Sequence, residues 1–459
     1  MSSTPNIKLM EIENNAQRGK YTIGIIGCGR VGVLHACLFA DAGFQVICAD
    51  TNQALVDNIS KSKVPFLKNE IEPALRRHVN NGRLKATNDL KSAAAQSEII
   101  TVTVPVTVDE KGKTDYSNLE RVLKQVGLNF RKGTLVIIAS VVRIGATEGF
   151  LKDILEGVSG FKVGTDFFMA YSPVLFPEKQ TLKTLSDYRR IVAAADKDSL
   201  ETASTVLGTI TKSHVVKTRN LKTAEAMILF EATHEYAKLA LANEFALFCE
   251  KMGVDYLAVQ NLAKINPNSG LALPTLVCEN GDEALHILLD EAENLNLKLK
   301  ISKAAAETNV ETLKNAANII REALKSCGKT LRRAKLSILG LSQTPNVMDV
   351  PKNSVKKLGE MLETKGAKIS LYDPYLSSKT SIELKQASFK KSLTEAVESA
   401  DCIVIFTGHD LFKRLNLKKL KLMAKMPAAI VDFEGVIDPG KAEAEGFIYR
   451  GLGRGVWAK

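Results

Sequence analysis

The sequence predicts an α/β protein in which two doubly wound parallel-sheet domains are joined by a long central helix and a helical middle domain. Three observations predict it. Apolar runs alternate with helical patterns from Ile23 to Ser172 and again from Lys335 to Asp432, and such alternation builds parallel sheets. A glycine-rich turn sits between the first run and the first helix. Between the two sheets, from Leu221 to Gly253, the apolar spacing lengthens to every third or fourth residue, the period of a helix.

The stretch Tyr21 to Asn52 organises the rest. Ile23–Ile26 leads into Gly27-Cys28-Gly29-Arg30-Val31-Gly32, then a helical pattern, then a second apolar run, Phe44 to Ala49, ending at Asp50. Gly27 permits the tight turn, Gly29 lets the backbone approach a pyrophosphate, and Gly32 lets the helix pack close to the strand. The helix N-terminus offers amide hydrogens and a positive dipole end to the phosphates. A carboxylate after the second strand accepts a ribose 2′-hydroxyl and repels an extra phosphate, and no Arg follows in Thr51-Asn52. The expected cofactor is therefore NAD rather than NADP. The cofactor-binding residues are expected to be Gly27, Cys28, Gly29, Arg30, Val31, Gly32, Asp50, Thr107 and Ser140, the last two because ligands lie at the carboxyl ends of parallel strands.

Further strands are expected at Glu98–Val104, Thr134–Ser140 and Asp166–Ser172, with helices at Leu119–Val126 and Thr147–Leu155. Met227, Phe230, His234, Ala237, Leu241, Phe245, Phe248 and Met252 form one face of the central helix, which links domains and offers a dimer surface. His234 on that stripe reads as a core or interface residue. A further helical region covers Glu283–Ser326. The last third returns to strand and helix with Lys335–Leu341, Lys368–Asp373, Asp401–Thr407 and Ala428–Asp432, but without the glycine finger. The expected divisions are a flexible lead-in at 1–20, a Rossmann-like NAD-binding domain at 21–215, a helical dimerisation domain at 216–330 and an α/β domain at 331–459.

Composition bounds the rest. The 459 residues, 45% hydrophobic and 25% charged, suit a globular protein of two or three domains. The absence of a long apolar run and of a signal-like start points to a cytoplasmic protein without a membrane partner. Seven cysteines without C-x-x-C spacing argue against a disulfide framework and a metal site. The net charge of +11 suits anionic ligands. Its densest patch, Lys413–Lys425, reads as a solvated basic helix rather than a nucleic-acid surface.

Order and spacing resemble the UDP-glucose/GDP-mannose dehydrogenase family from about Tyr21 to Gly453. The carrying residues are the glycine turn with Asp50, Glu70–Pro73, Val108-Asp109-Glu110 with Asp115, Ala170-Tyr171-Ser172-Pro173, Ala237–Glu244, Asn309, Leu339-Gly340-Leu341, Tyr372-Asp373-Pro374-Tyr375 and Gly451-Leu452-Gly453-Arg454. The Tyr-Ser-Pro form is nearer the UDP-N-acetylmannosamine and UDP-N-acetylglucosamine branch. The resemblance implies oxidation of a UDP-sugar at carbon six by two successive hydride transfers to NAD, through a cysteine thiohemiacetal and thioester, in a homodimer or higher homo-oligomer serving polysaccharide biosynthesis. It implies Cys278 as nucleophile, with Asp282 at the family's spacing of four and Glu178 as the nearest matching acid.

The same resemblance shows departures. The family's lysine falls on Ile228, its partner asparagine on Ala232, and the glutamate after the Ser-Pro pair on Val174. Two readings stand: a working NAD-dependent UDP-sugar 6-dehydrogenase, and a catalytically degenerate NAD-binding paralogue serving as a partner or regulatory subunit. Plain alcohol oxidation, as in 6-phosphogluconate and 3-hydroxy acid dehydrogenases, fares no better, since those relatives also use a lysine and an asparagine on that helix.

Overall fold

The structure, a computed structural model, describes residues 7–109, 112–175, 181–266, 270–277, 283–377, 382 and 384–457. The chain divides into two compact units, Met1–Ala232 with Glu283–Lys298, and Thr233–Asp282 with Leu299–Lys459. The helical middle of the sequence contributes to both.

In the first unit the strands are β1 (Thr22–Ile26), β2 (Gln45–Ala49), β3 (Leu84–Thr87), β4 (Ile99–Val102), the hairpin pair β5 (Thr107–Val108) and β6 (Thr114–Asp115), β7 (Leu135–Ile138), β8 (Phe168–Tyr171), β9 (Ile191–Ala193) and β10 (Val216–Thr218). Eight of them form one sheet in the order β10-β9-β8-β7-β4-β1-β2-β3. Pairing is parallel from β3 to β8, and β9 turns antiparallel to β8. The strand order reverses between β1 and β4, which places the ligand crevice at their carboxyl ends. All four residues of β4 and of β7 are buried, because helices cover both faces of such a sheet.

The second unit holds β11 (Lys335–Leu339), β12 (Lys368–Tyr372), β13 (Ser388–Phe389), β14 (Cys402–Ile405), β15 (Ala429–Asp432) and β16 (Ile448–Gly451). They form a wholly parallel sheet in the order β13-β12-β11-β14-β15-β16. The helix Lys300–Ser326 covers one face, where Leu313, Ala316, Ile320 and Leu324 share a core with Ile338, Val404 and Val431. Both α/β domains, and the helical region between them in sequence, are thus present. Neither β13 nor β16 was expected: the two-residue β13 is too short to show a pattern, and β16 ends in Arg450 and Gly451.

The helical region expected at Glu283–Ser326 is present as two helices, Glu283–Asn294 and Lys300–Ser326, parted where Asn296 takes a left-handed φ of 57°, a conformation asparagine tolerates. Other expectations need correction. Residues 7–20 of the expected loose lead-in carry a helix at Leu9–Glu13, and Ile7 and Ile12 are buried. The basic stretch forms a helix only over Leu417–Met423, started by Asn416, whose side chain accepts the Lys419 N–H. Strands β4, β7, β8, β11, β12 and β14 end one or two residues earlier than expected, whereas β1, β2 and β15 end where expected.

The central helix runs Leu221–Met252. Ile228, Leu229, Ala232, Tyr236, Ala240, Asn243 and Ala246 are buried, whereas Phe230, Leu241, Phe245, Phe248 and Met252 are exposed. The apolar stripe read from the sequence therefore faces outward in the single chain, with exposed His234 among its members. Among the described residues no helix is long and apolar enough to cross a membrane.

Candidate functional site

The glycine turn is built as its sequence requires. Gly27 has φ +95° and donates its N–H to Ala49 O at 2.9 Å, closing the turn onto β2. A Cβ on Gly32 would lie 2.0 Å from Gly27 O, so only glycine lets the helix Arg30–Asp41 start so close to the strand. A Cβ on Gly29 would meet nothing within 4 Å. The turn is thus closed where helix meets strand and open where a pyrophosphate approaches. The helix starts at Gly29 with no side-chain cap, which leaves first-turn amides for an anion. This cradle fits a dinucleotide.

Asp50 spans the turn from the other side. One carboxylate oxygen accepts the Cys28 N–H at 2.7 Å and the other accepts the Asn52 N–H at 2.9 Å, which fixes the carboxylate at the end of β2. Cys28 contributes its backbone only: its thiol is buried, and its hydrogen bonding with Cys48 in the protonated form, together with burial, pushes its pKa well up. Arg30 lies with its guanidinium 5.5 Å from the Phe66 ring centroid. Ser140, at the end of β7, donates its hydroxyl to Val104 O at 2.6 Å and ties two strand ends together. Thr107 sits exposed in the β5–β6 hairpin opposite Asp115.

Two supporting residues escape sequence reasoning. The Thr103 hydroxyl donates to Gly27 O at 2.6 Å, holding the turn from the end of β4. Glu225, fully buried on the central helix, accepts the N–H groups of Gly145 and Thr147 and shapes the loop after β7. Burial holds its carboxyl above the usual range. Both partners are distant in sequence, so no local signal marks either residue.

Ile228 and Ala232, where the resemblance expects a lysine and an asparagine, are apolar and packed. Ile228 is 1% exposed and Ala232 8%, and they form a cluster with Leu175 against which Val141, Tyr188 and Ala284 pack. Val174 is buried beside them in sequence. Val141 and Leu175 follow β7 and β8, so this cluster sits at the carboxyl ends of the sheet. Cys278, Asp282 and Glu178 lie outside the described residues.

The approach to Cys278 is described up to Val277. Asn243 accepts the Thr275 N–H at 2.9 Å and donates to Thr275 O and to Asn309 Oδ1, while Asn309 donates to Tyr236 O. The Tyr256 hydroxyl and Gln260 hold Ala272 O and Leu271 O. Asn243 and Asn309, noted in the sequence only as part of a resemblance, prove to be a buried pair that fastens this segment.

The second sheet repeats the turn without its glycine finger. Gly340 has φ +79° and donates to Tyr372 O at 2.9 Å. Asp373, after β12, accepts the N–H groups of Leu341 and Ser342 at 2.7 and 2.9 Å, as Asp50 accepts that of Cys28. The Thr407 hydroxyl donates to Ser342 O, as Thr103 does to Gly27 O. His409 Nδ1 accepts the Asn346 N–H, so its Nε2 carries the proton that faces Asp373 at 3.1 Å. Glu434 pairs with Lys352 at 3.3 Å.

Comparison with known proteins matches the chain in three segments. The family models of the UDP-glucose/GDP-mannose dehydrogenase family match in three parts: the NAD binding domain at residues 21–211, the central domain at 222–311 and the UDP binding domain at 337–439. The UDP-N-acetyl-D-mannosamine dehydrogenase of Pyrococcus horikoshii is 28% identical over 438 residues, covering 94% of this chain and 99% of that protein. The UDP-glucose 6-dehydrogenase TuaD of Bacillus subtilis is 26% identical, covering 94% and 93%. The solved structure of the Pyrococcus horikoshii UDP-D-ManNAc dehydrogenase superposes with a TM-score of 0.84 at 26% identity, covering 95% of this chain and all of that one. NAD is accordingly the dinucleotide of the first sheet, and the chain belongs to the UDP-glucose/GDP-mannose dehydrogenase family.

Proposed function

We propose that this chain oxidises the carbon-six primary alcohol of a UDP-sugar, a UDP-N-acetylhexosamine or UDP-glucose, to the uronate in the cytoplasm. The reading is carried by one observation: NAD-binding, central and UDP-binding segments follow one another along nearly the whole chain. Bound NAD supplies a hydride acceptor, and two equivalents are used in turn. Gly27, Gly29 and Gly32 admit the pyrophosphate, first-turn amides including those of Val31 and Arg30 meet its charge, and Asp50 grips the ribose. Cys28 lends its amide, and Thr107 and Ser140 flank the cofactor at the strand ends. The Cys278 thiolate attacks the first-formed aldehyde to give a thiohemiacetal, whose oxidation leaves a thioester. Water ordered by Asp282 cleaves that thioester, releasing the carboxylate and returning the thiol, while Glu178 serves as the nearby acid. Two copies join through the outward stripe of the central helix, where Leu241, Phe245, Phe248 and Met252 present an apolar surface.

One observation favours a second reading, a catalytically degenerate NAD-binding partner. Ile228, Ala232 and Leu175 fill the lysine and asparagine positions with hydrocarbon, and hydrocarbon cannot stabilise an alkoxide. The test is NADH formation, followed at 340 nm, with a panel of UDP-sugars, together with calorimetric titration of NAD. Turnover abolished by Cys278→Ser establishes the first reading. NAD binding without turnover on any sugar rejects it in favour of the second.

A further inference from the structure

Arg190, the residue before β9, is fully buried. Its Nε donates to Thr211 Oγ1 at 2.8 Å and its Nη1 to His35 Nε2 at 2.9 Å, while Nη2 meets no partner. No carboxylate of the described residues pairs with it. Burial lowers its pKa to about 10, so it remains a cation at neutral pH. A buried charge without a counter-ion is costly and calls for a reason.

His35 shows where that charge is directed. The imidazole is buried in the helix Arg30–Asp41, and burial, helped by Arg190, lowers its pKa to about 3. It is therefore neutral. Nδ1 lies 2.9 Å from Val31 O, a pure acceptor, so Nδ1 carries the proton and Nε2 accepts from the guanidinium. A continuous line of donation runs from Arg190 through His35 to the carbonyl of Val31. Val31 lies in the helix turn whose amides face the open side of Gly29.

We propose that Arg190, acting through His35, is a positioning residue for the dinucleotide: it fixes the first turn of the helix from inside and supplies a buried positive charge that the pyrophosphate of NAD balances. This rests on the assignment of NAD to the first sheet. The pyrophosphate brings two negative charges to the far side of the same helix turn, and the low-dielectric interior screens the guanidinium poorly. The device is separate from the glycine turn, which provides room and amides and whose own cation, Arg30, lies against the Phe66 ring.

The test uses the full chain and NAD, with dissociation constants measured by calorimetry at two salt concentrations. Arg190→Met is expected to bind NAD roughly tenfold more weakly and with a shallower salt dependence. Arg190→Lys, which keeps the charge, is expected to recover most of that loss. His35→Gln keeps an acceptor for Arg190 but removes the ring N–H aimed at Val31 O, and is expected to weaken NAD roughly threefold to fivefold. Equal losses in Arg190→Met and Arg190→Lys with an unchanged salt slope would mark a packing role and overturn the proposal, as would wild-type affinity in a folded Arg190→Met. Should Arg190→Met not fold, His35→Gln decides: wild-type NAD affinity in that variant overturns the proposal. Absence of NAD binding in the wild-type chain is a different failure, that of the cofactor assignment itself.

Discussion

Replacing Gly29 by alanine should remove most of the effect of NAD on stability while leaving the stability of the free protein nearly unchanged. A Cβ at Gly29 would meet no protein atom within 4 Å, and its φ of −65° with ψ of −170° suits any L-residue. Alanine is a poorer helix start than glycine by a few tenths of a kcal/mol to about 1 kcal/mol, but it restricts the unfolded chain by about 0.4–1 kcal/mol. The two nearly cancel. The methyl group projects instead into the open side of the turn, where overlap with a bound pyrophosphate is expected to cost about 2–3 kcal/mol, roughly a hundredfold in affinity.

Thermal unfolding with and without NAD reads both quantities. At a concentration of NAD a hundred times its dissociation constant, the wild-type protein gains about 2.7 kcal/mol. With the constant raised a hundredfold, the same concentration gives the variant only about 0.4 kcal/mol. Gly32→Ala is the contrasting control. Its Cβ would lie 2.0 Å from Gly27 O and 2.9 Å from Thr103 Oγ1, and a backbone carbonyl cannot swing aside, so the free protein itself should lose about 1–3 kcal/mol or more. If Gly29→Ala keeps the full gain from NAD, the phosphates do not pass over Gly29 and the assignment of the turn is wrong.

Two further predictions concern the second unit. Burial alone would raise the Asp373 carboxyl, but the hydrogen bonds from His409 and from the amides of Leu341 and Ser342 outweigh it and hold the pKa at about 2, below the ordinary 3.8. The stability this supplies is present above pH 3.8 and is lost as pH falls through 2; at about 1.4 kcal/mol per unit it amounts to about 2 kcal/mol. Asp373→Asn should therefore be less stable than wild type by about that much at pH 7, with the gap closing towards pH 2. Urea unfolding followed by the single tryptophan, Trp457, which lies 4.7 Å from the Arg454 guanidinium, measures it, and a gap independent of pH refutes the argument. Phe248, 64% exposed in the single chain, should tolerate Glu without loss of thermal stability in the monomer. Light scattering should then show a halved mass relative to wild type, and an unchanged oligomer excludes this stripe as the interface.

The fold was legible wherever one local rule governed several residues. The glycine turn forms at its expected place in the chain because a short strand–turn–helix–strand unit brings its parts together: Gly32 packs on Gly27, and Asp50 at the end of β2 reaches Cys28. The central helix was legible in extent but less so in orientation. Both of its faces are rich in apolar residues, and the stripe with the larger side chains, Phe230, Leu241, Phe245 and Phe248, is the one left outside, while small residues such as Ala232, Ala240, Ala242 and Ala246 pack inward. Large residues mark a core only when nothing else covers them. Contacts that span long separations left no trace, as with Arg190 and His35 or Asn243 and Asn309. Each is a polar pair whose partners sit in unremarkable local patterns.

The cluster at Ile228 bears on how the two functional readings part. A lysine at position 228 would have to bring an ammonium group into contact with Leu175 and its apolar surroundings, which no single rotamer change of a neighbour would relieve. Val174, where the resemblance expects an acid, is buried as well. Hydrocarbon in contact with hydrocarbon is stabilising in its own right, by about 1.5–3 kcal/mol for a fully buried large aliphatic side chain. Selection for stability can retain such a cluster once the demand for a charged group is gone. Loss of one oxyanion donor typically lowers kcat by about a hundredfold to a thousandfold, so turnover at the rate of lysine-bearing relatives would require a donor from outside this cluster. The glycine turn carries no matching damage: Gly27, Gly29, Gly32 and Asp50 keep every feature that dinucleotide binding needs. A chain free to lose both functions would be expected to lose the cradle too, since its positive φ and its close approaches each restrict the sequence. The glycine turn and the hydrocarbon cluster at Ile228 bear separately on cofactor binding and on hydride chemistry, and the NAD titration measures the first independently of the second.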